Sequence, residues 1–204
     1  MATDLALDET DLDEDVIDFP LEVLTLEQFL RLPEIKPPLE FIKGRIEQKM
    51  SSGTHRGRIR VKLSNRINAI SEDARLGLAF VGGRCNFGGE SYVPDISYII
   101  SDRIPLDENC RLREQFTAPP DWSIEVLSPG ETVENSTARL QRLVTRGVRL
   151  GWLIHPRKSR VSVFRPGQPS RTFTLGETLH ADPVLPGFAL PVNELFGWLF
   201  FPRG

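Results

Sequence analysis

The amino-acid sequence predicts an α/β domain built around a mixed β-sheet, with a β-hairpin near its N-terminal end. Three observations lead to this prediction. Segment 121–126 alternates polar and apolar residues with a period of two, which is typical of a strand with one buried face, and segment 92–100 is rich in the Val, Ile and Tyr that strands favour. Segment 54–70 instead repeats its apolar residues with the helical period. The predicted order is helix, hairpin, helix, strands, helix, strands, which favours helices flanking a mixed sheet.

The charge of the chain is divided unevenly between a leader and a body. Residues 1–30 hold ten Asp or Glu and no Lys or Arg. This leaves 18 of the 28 acidic residues against all 25 basic ones, a formal charge of +7. We expect residues 1–20 to form an acidic, disordered leader and residues 21–204 to form one domain. A basic body suits a polyanion, which the leader could cover; the alternative is a solubilising leader on an Arg-rich surface.

Composition excludes several other classes of protein. The two cysteines, Cys85 and Cys110, are too few and too far apart for a disulfide scaffold or a zinc knuckle. No apolar run approaches the ~20 residues that a membrane-spanning helix needs, and the features of a signal peptide are missing. We therefore expect a cytoplasmic protein without a membrane partner, and no motif indicates an organic cofactor.

The first half of the domain is predicted to contain a helix, a hairpin and a second helix. Segment 25–33 opens with a capping box and closes with a proline, as a short helix does. Segment 40–50 alternates on both sides of Lys43-Gly44, which is typical of a hairpin. A longer helix follows from Thr54, and its apolar stripe consists of Ile59, Leu63, Ile67 and Ile70.

The second half is predicted to alternate strands with two further helices. LGLAFVGGRCNF and YVPDISYII are read as strands, and a polar segment, 101–120, separates them from DWSIEVLSPG. Residues 132–146 form an amphipathic helix with Ser136 as candidate cap, and RLGWLIHP is a buried central strand. Two strands and a C-terminal helix capped by Asn193 follow. The aromatic residues of FGWLFF are expected in the core or, if exposed, in a homodimer contact.

Two acidic residues stand where strands rarely carry them. Asp95 lies in YVPDISYII and Glu125 in DWSIEVLSPG, each near a proline or turn that could widen the sheet edge. Two carboxylates that converge there would make an oxygen site suited to Mg²⁺ or Mn²⁺, which could activate water against a phosphodiester. The alternative is structural: Asp95 caps a bend after Pro94, and Glu125 pairs with an arginine at a sheet edge.

The same residues carry a resemblance to a known family. Pro94-Asp95, then Glu125 in IEVLSP, then LQRLVTRGVRLGWLIHPRKSRVSVFRPG resemble the Uma-two (Uma2) family of putative restriction endonucleases, a branch of the PD-(D/E)XK nuclease superfamily. The resemblance covers most of the chain from about residue 24 and includes the LEFIKG hairpin with Glu40. The three motifs in this order are specific to the family, whereas one of them alone would be a weak signal.

The resemblance implies a restriction-endonuclease-like core and metal-dependent cleavage of DNA. By matching position, Asp95 and Glu125 become the metal-binding acids, and Glu40 becomes a third acidic residue that could orient water or metal. Leu127 occupies the place where the superfamily usually has a lysine. The family tends to supply that lysine from the following helix, at the position of Arg139. Arginine keeps the positive charge and can grip a phosphate, but it cannot serve as a general base at physiological pH.

The helix that begins at Thr54 carries many basic residues. These residues could track the phosphates of DNA without reading its sequence. The alternative is an ordinary basic solvent face around an apolar stripe. The candidate nucleic-acid-binding residues are His55, Arg56, Arg58, Arg60 and Lys62.

Two functions are consistent with these features. The first is a hydrolase, a Mg²⁺- or Mn²⁺-dependent DNA endonuclease in which Asp95 and Glu125 hold the metal. Arg139 stabilises charge on phosphorus in this hypothesis, and Glu40 assists. The second is a catalytically weakened nuclease fold that binds nucleic acid or a protein without cutting. Arg139 and Leu127, which stand where lysine is usual, favour this alternative.

Overall fold

A mixed six-stranded β-sheet forms the centre of the computed structural model, which describes residues 24–50 and 53–201. The strands in chain order are β1 (Leu39–Ile42), β2 (Arg45–Gln48), β3 (Gly77–Val81), β4 (Cys85–Phe87), β5 (Glu90–Tyr92), β6 (Ile96–Ile100), β7 (Trp122–Val126), β8 (Leu150–His155), β9 (Arg160–Phe164), β10 (Arg171–Phe173), β11 (Thr178–His180) and β12 (Ala189–Pro191). The α-helices are α1 (Leu26–Phe29), α2 (Thr54–Ser71), α3 (Val133–Thr145) and α4 (Val192–Gly197).

The six-stranded sheet has the spatial order β10-β9-β8-β7-β6-β3. Strands β7 and β8 run parallel, and the other neighbouring pairs of this sheet are antiparallel. Helix α3 provides the crossover that a parallel pair requires. This mixed sheet with helices on its faces confirms the predicted α/β fold class.

Helices α2 and α3 cover opposite faces of the sheet. Trp122 and Trp152 point toward α2, and their rings pack edge to face with centroids 4.5 Å apart. Successive strand residues point to opposite faces, so that Glu125 and Leu153 point toward α3. Strand β7 is therefore fixed between the two helices. The buried stripes are Ile59, Leu63 and Ile67 on α2, and Leu140 and Leu143 on α3.

The predicted hairpin is present in a second, four-stranded sheet. Strands β1 and β2 pair antiparallel with Phe41 opposite Ile46, and the spatial order of this sheet is β2-β1-β5-β4. Both turn residues have positive φ, 53° at Lys43 and 74° at Gly44. This is the geometry of a type I′ turn, whose twist matches that of the flanking strands.

Helix α2 connects the hairpin to β3 in the six-stranded sheet. The chain then crosses twice more between the two sheets, and both of these crossings divide a predicted strand. LGLAFVGGRCNF is split into β3 and β4, because the chain turns at Gly82, which has φ 67°. YVPDISYII is split after Tyr92, where β5 ends, and resumes as β6 at Ile96. Pro94 and Asp95 consequently lie at the junction of the two sheets, which is where polar groups from both can meet.

Two helix caps differ from the prediction. Helix α3 is capped by Thr132, whose side chain accepts a hydrogen bond from Asn135 N at 3.2 Å, so Ser136 lies within the helix. Asn193 lies inside α4, and its Oδ1 accepts a hydrogen bond from Gly176 N at 2.7 Å. Helix α4 instead begins after Pro191, which provides no side-chain cap.

The ends of the described chain bear on two further predictions. The predicted leader, residues 1–20, and its boundary with the domain lie outside the described residues. In the C-terminal aromatic segment Phe196 is buried, whereas Phe200 and Phe201 are exposed, so a homodimer contact there stays a prediction. Across residues 24–50 and 53–201, no helix combines the length and the apolar character needed to cross a membrane.

Candidate active site

The structure brings Asp95 and Glu125 together. Asp95 immediately precedes β6, and the register pairs Ile96 with Ile124, so the antiparallel strands place the two acids at the same end. Their side chains are only 3 % and 6 % exposed. Charges at this depth lose hydration and require nearby compensation.

Lys49 supplies part of that compensation and was not predicted. It follows β2, and its Nζ lies 3.1 Å from Glu125 Oε2 and 3.6 Å from Asp95 Oδ1. The same ammonium donates a hydrogen bond to Val93 O at 2.7 Å. One cation therefore stands between the two acids that were predicted to share a cation.

Arg56 binds Asp95 from helix α2. Its Nε donates to Asp95 Oδ2 at 2.9 Å, and its Nη1 donates to Ser128 Oγ at 2.8 Å. The same Asp95 oxygen accepts a hydrogen bond from Val126 N at 2.8 Å, which links it to the neighbouring strand. The third guanidinium nitrogen, Arg56 Nη2, forms an ion pair with Glu131 Oε1 at 3.3 Å. Asp95 is thus held in one orientation from two sides.

Arg139 joins the two other acids. Its Nη1 and Nη2 bind the two carboxylate oxygens of Glu40 side by side, and its Nε donates to Glu125 Oε1 at 3.1 Å. Glu40 also accepts a hydrogen bond from Val93 N, and the guanidinium lies over the Tyr92 ring at 5.4 Å. Arg139 therefore orients Glu40 and Glu125, and most of its donors are engaged by them rather than directed at an open space.

The site consists of interlocking ion pairs. We call Glu40, Asp95 and Glu125 the carboxylate cluster, and Lys49, Arg56 and Arg139 the cation set. Burial raises the pKa of Glu125, but Lys49, Arg139 and Arg56 outweigh it and lower that pKa to about 2. Burial lowers the pKa of Arg139, but Glu40 and Glu125 outweigh it and raise that pKa well above its ordinary value. Glu125 and Arg139 consequently stay charged throughout the physiological pH range.

The donor atoms fit a hard divalent cation between Asp95 and Glu125. Asp95 Oδ1 and Glu125 Oε2 both face the position of the Lys49 ammonium, and carboxylate oxygens are the ligands that Mg²⁺ prefers. Among the described residues no group of three or more His, Cys, Asp or Glu could hold a metal. An ion here would have two protein carboxylates, with water or phosphate oxygens as its other ligands, and would require Lys49 to move aside.

The five basic residues predicted to bind nucleic acid do not share one face of α2. Arg56 is buried in the cluster, and the Arg60 guanidinium lies against Gly82. Arg58 Nε donates to Trp198 O at 3.2 Å, and Lys62 lies over the Trp198 ring at 5.8 Å. Positions 56 and 60 are four residues apart and share a helix face, whereas 58 and 62 occupy another. His55, the fifth residue, is exposed at the start of the helix.

The placement of Arg56 corrects the interpretation of this helix as a single DNA-tracking face. Arg56 stands three positions before Ile59 and seven before Leu63, so it extends the buried stripe by one turn. A charged residue in line with an apolar stripe was the available signal for a buried ion pair. Residue type alone groups Arg56 with the exposed basic residues of the helix.

Lys49 also had a signal in the sequence. In a hairpin closed by Lys43-Gly44, Glu40 faces Glu47 across the strands, and side chains alternate from there. Position 49 therefore lies on the same face of the hairpin as Glu40. The pairing of Lys49 with Glu125, which lies 76 residues away, had no such local signal.

Three clefts open around the carboxylate cluster. The first, of about 740 Å³, is lined by Lys49, Arg56, Arg60, Arg84 and Asp95 among others. The second, of about 500 Å³, reaches Glu40, Glu125 and Arg139 from the side of α3. The third, of about 450 Å³, lies between the start of α2, the loop before α3 and the end of β8. The first two clefts thus reach members of the carboxylate cluster, and the third adjoins the cluster through Arg56.

Comparison with known proteins identifies relatives of the whole domain. A family model, Uma2, described as a putative restriction endonuclease, matches residues 26–193. Among solved structures, a putative nuclease belonging to DUF820 from Anabaena variabilis ATCC 29413, solved at 1.96 Å resolution, is 35 % identical. The match covers 87 % of this chain and 99 % of that chain, with a TM-score of 0.84. None of the curated proteins matches this chain significantly.

These matches bear out the resemblance seen in the sequence. The family model spans nearly all of the described domain, including each member of the carboxylate cluster and the cation set. The fold seen here is also the fold of the solved nuclease-like relative. The chain therefore belongs to the Uma2 family of putative restriction endonucleases.

Proposed function

We propose that this protein is a metal-dependent endonuclease that hydrolyses phosphodiester bonds in DNA. The observation that carries the proposal is the convergence of Asp95 and Glu125 on one cation position, at 3.6 and 3.1 Å from Lys49 Nζ. The membership of the chain in a restriction-endonuclease family supports the same reaction class. The basic first cleft beside the cluster offers a path for a polyanion.

Asp95 and Glu125 are the residues that would hold Mg²⁺ or Mn²⁺. When bound, such an ion polarises a phosphodiester oxygen and lowers the pKa of a coordinated water. Arg56 and the Val126 amide fix one side of Asp95, and Arg139 fixes Glu125 and Glu40. The carboxylates are consequently held in place before any ligand arrives, which avoids reorganisation during the reaction.

Lys49 is the cation best placed to act on the substrate. Its ammonium lies between the two acids and can follow a phosphate oxygen that enters there, because lysine is a flexible point charge with three donors. Arg139 is engaged by Glu40 and Glu125 and acts by positioning them. In this proposal Lys49 takes the role of the lysine that the superfamily usually has at the position of Leu127. Arg139, which the sequence predicted to stabilise charge on phosphorus, instead orients Glu40 and Glu125.

A second candidate function is a nuclease fold that binds nucleic acid or a partner protein without cutting. The observation that favours it is the extent of charge compensation: each acid of the carboxylate cluster already has a cationic partner. A metal must then compete with Lys49 for the two oxygens. Cleavage assays separate the two candidates.

The test is a plasmid-nicking assay with Mg²⁺, with Mn²⁺ and with EDTA, on the parent chain, Glu125→Gln and Lys49→Gln. We expect metal-dependent nicking by the parent chain and a loss of at least ~100-fold in both variants, as for removal of a transition-state contact. The matched control is Lys43→Gln, an exposed lysine at the turn of the same hairpin, which should nick at the parent rate. DNA binding without nicking by the parent chain would establish the second candidate instead.

A further inference from the structure

We propose that the third cleft is a second phosphate site, which holds a backbone phosphate of DNA adjacent to the one that is cleaved. This inference rests on the proposed function and names a further contact for the same substrate. The cleft is bounded by the start of α2, by the loop 127–131 and by residues 155–158. Three independent features of these walls favour an anion.

The first feature is the exposed N-terminal end of α2. This helix has 18 residues, and its N-cap is Gly53, which has no side chain to cap the first amides. The first backbone hydrogen bond of the helix runs from Gly57 N to Gly53 O, so the preceding amides point out of the helix end. Thr54, His55 and Arg56 line the cleft at this end. Aligned amides with the positive end of a helix dipole favour a bound phosphate.

The second feature is the side chain of His155. It lines the cleft and is 91 % buried, with 9 % exposure. Within the described residues its Nδ1 has no hydrogen-bond partner. Buried polar atoms are nearly always paired in native proteins, and an orphaned one indicates a ligand, an ion or a water at the site. The Nδ1 atom itself has almost no accessible surface, so the ring must turn toward the cleft for a phosphate oxygen to become its partner.

The third feature is the balance of charge. The cleft is lined by three cations, Arg56, Arg157 and Lys158, and by one acid, Glu131. Glu131 and Arg56 compensate each other, because Glu131 Oε1 lies 3.3 Å from Arg56 Nη2, and Glu131 Oε2 accepts a hydrogen bond from Ser128 N at 2.8 Å. The positive balance of the cleft therefore comes from Arg157 and Lys158. Arg157 and Lys158 are exposed and can turn toward an anion. The cleft is therefore positive where a ligand would sit.

The third cleft also adjoins the carboxylate cluster. Arg56 lines it while binding Asp95, so one guanidinium borders both sites. Glu131 and Gly130 line both this cleft and the second cleft, which contains Glu125. A DNA strand whose scissile phosphate lies at the cluster would thus place a neighbouring phosphate within this cleft. Contacts to a neighbouring phosphate set the register of the strand without reading its bases.

The titration of His155 provides a direct readout. Burial lowers its pKa, and the cations Arg160, Lys158 and Arg157 lower it further, which together outweigh a contact with its own backbone that raises it. His55 and Arg56 on α2 and Glu131 in the loop are the other charged or titratable groups that line the cleft. A phosphate bound beside the imidazole favours the protonated form and raises the pKa of His155.

The first measurement follows the three histidine resonances by NMR while inorganic phosphate is added in EDTA. We expect the pKa of His155 to rise and that of His180 to stay constant; His155→Gln and His180→Gln identify the two resonances. The second measurement is binding of a short DNA duplex in EDTA by Arg157→Gln/Lys158→Gln. We expect ~10-fold weaker binding at low salt and a decrease of ~0.9 in the slope of log K against log salt, as for one lost phosphate contact.

The control removes two cations near the far end of the same helix, Arg66 within α2 and Arg75 in the turn that follows it. Arg66→Gln/Arg75→Gln changes the net charge equally, and Arg66 lies roughly 18 Å along the helix axis from Thr54. We expect a smaller loss of affinity and an unchanged salt slope. Equal losses from both double variants would overturn the site.

The outcomes are distinguishable from those of the proposed function. A parent chain that binds DNA through this cleft but nicks nothing contradicts the endonuclease and leaves the site standing. A phosphate-dependent shift of His155 without any effect of Arg157→Gln/Lys158→Gln on DNA binding indicates a free-phosphate site and overturns the backbone assignment. An unchanged His155 titration in phosphate together with an unchanged salt slope overturns the site altogether.

Discussion

At the scale of single residues, the site contains a buried acid, Glu125, that remains charged. Glu125 lies beside Lys49 and Arg139, and the surrounding cations lower its pKa to about 2 despite burial. Without these cations, burial would raise the pKa of the Glu125 carboxyl and favour its protonated form. The cation set therefore preserves the charge that a metal ligand needs. The ion pairs that compensate the charge of Glu125 also contribute to the stability of the fold.

The ionisation of Glu125 predicts how stability depends on pH. Its ordinary pKa of 4.5 falls to about 2 in the folded chain. The stabilisation is therefore complete above the ordinary value and is lost as the pH decreases from about 4.5 toward 2. Urea denaturation of the parent chain across this range should show a falling free energy of unfolding. Glu125→Gln should show a smaller fall and should be less stable at pH 7 by about 3 kcal/mol, because it leaves buried cations unpaired.

The control for this prediction is Glu47→Gln, which removes an exposed carboxylate of the same hairpin. It should follow the parent curve at every pH. If the curves of Glu125→Gln and the parent chain run parallel from pH 7 to pH 2.5, Glu125 is not ionised with a depressed pKa in the folded chain.

At the scale of elements, the site depends on how closely α3 approaches β8. A Cβ atom added at Gly151 would lie 3.2 Å from Leu140 Cδ2 and 3.4 Å from Phe164 Cβ. Leu140 is fully buried, so it has little room to yield. Arg139 precedes Leu140 on the same helix. The absence of a side chain at position 151 therefore lets α3 bring Arg139 to Glu40 and Glu125.

Gly151→Ala should therefore weaken both the fold and the site. We expect a loss of about 1–2 kcal/mol in the free energy of unfolding, as for overpacking of a core, measured by urea denaturation. Nicking should also decrease, because α3 must shift away from the sheet with Arg139.

The matched control is Gly57→Ala in α2, where an added Cβ meets nothing within 4 Å. This change should stabilise the chain by about 0.5–1 kcal/mol, because alanine is favoured over glycine within a helix. If Gly151→Ala is as stable as the parent chain, the packing of α3 is looser than the structure indicates.

At the scale of the whole molecule, function depends on the meeting of two sheets and on the distribution of charge. The four-stranded sheet contributes Glu40, and Lys49 follows its β2 strand, while the six-stranded sheet contributes Glu125. Asp95 lies where the chain passes from one sheet to the other. The basic body around this junction has a formal charge of +7, and the first 30 residues hold ten acids. Screening by salt should control how strongly these parts act on a polyanion.

Deletion of residues 1–20 should strengthen DNA binding at low salt. The deletion removes eight acidic residues and therefore raises the charge of the chain without touching the carboxylate cluster. Titration of a DNA duplex in EDTA should give several-fold tighter binding at 50 mM salt and little difference at 0.5 M, where the Debye length is about 4 Å. Unchanged affinity at low salt would show that the leader does not cover the basic surface.

The sequence by itself determined the class of the fold, most of its elements and two members of the site. Apolar periodicity predicted α2, α3 and β7, and the turn residues predicted the hairpin, since these signals act within a few residues of one another. Asp95 and Glu125 were recognisable because acids are rare in such strands. Glu40 and Arg139 entered through the resemblance to the family rather than through any pattern of their own.

Only the tertiary structure decided which charges meet. The ion pairs join residues 39, 76 and 99 positions apart, as in Arg56–Asp95, Lys49–Glu125 and Arg139–Glu40. Local periodicity contains no information about such distances, because they depend on how two sheets and two helices pack. The position of Lys49 between Asp95 and Glu125, and the burial of Arg56, follow from this packing. Because these charges are buried, each one requires its partner, and a substitution that removes one member of a pair destabilises the fold as well as the site.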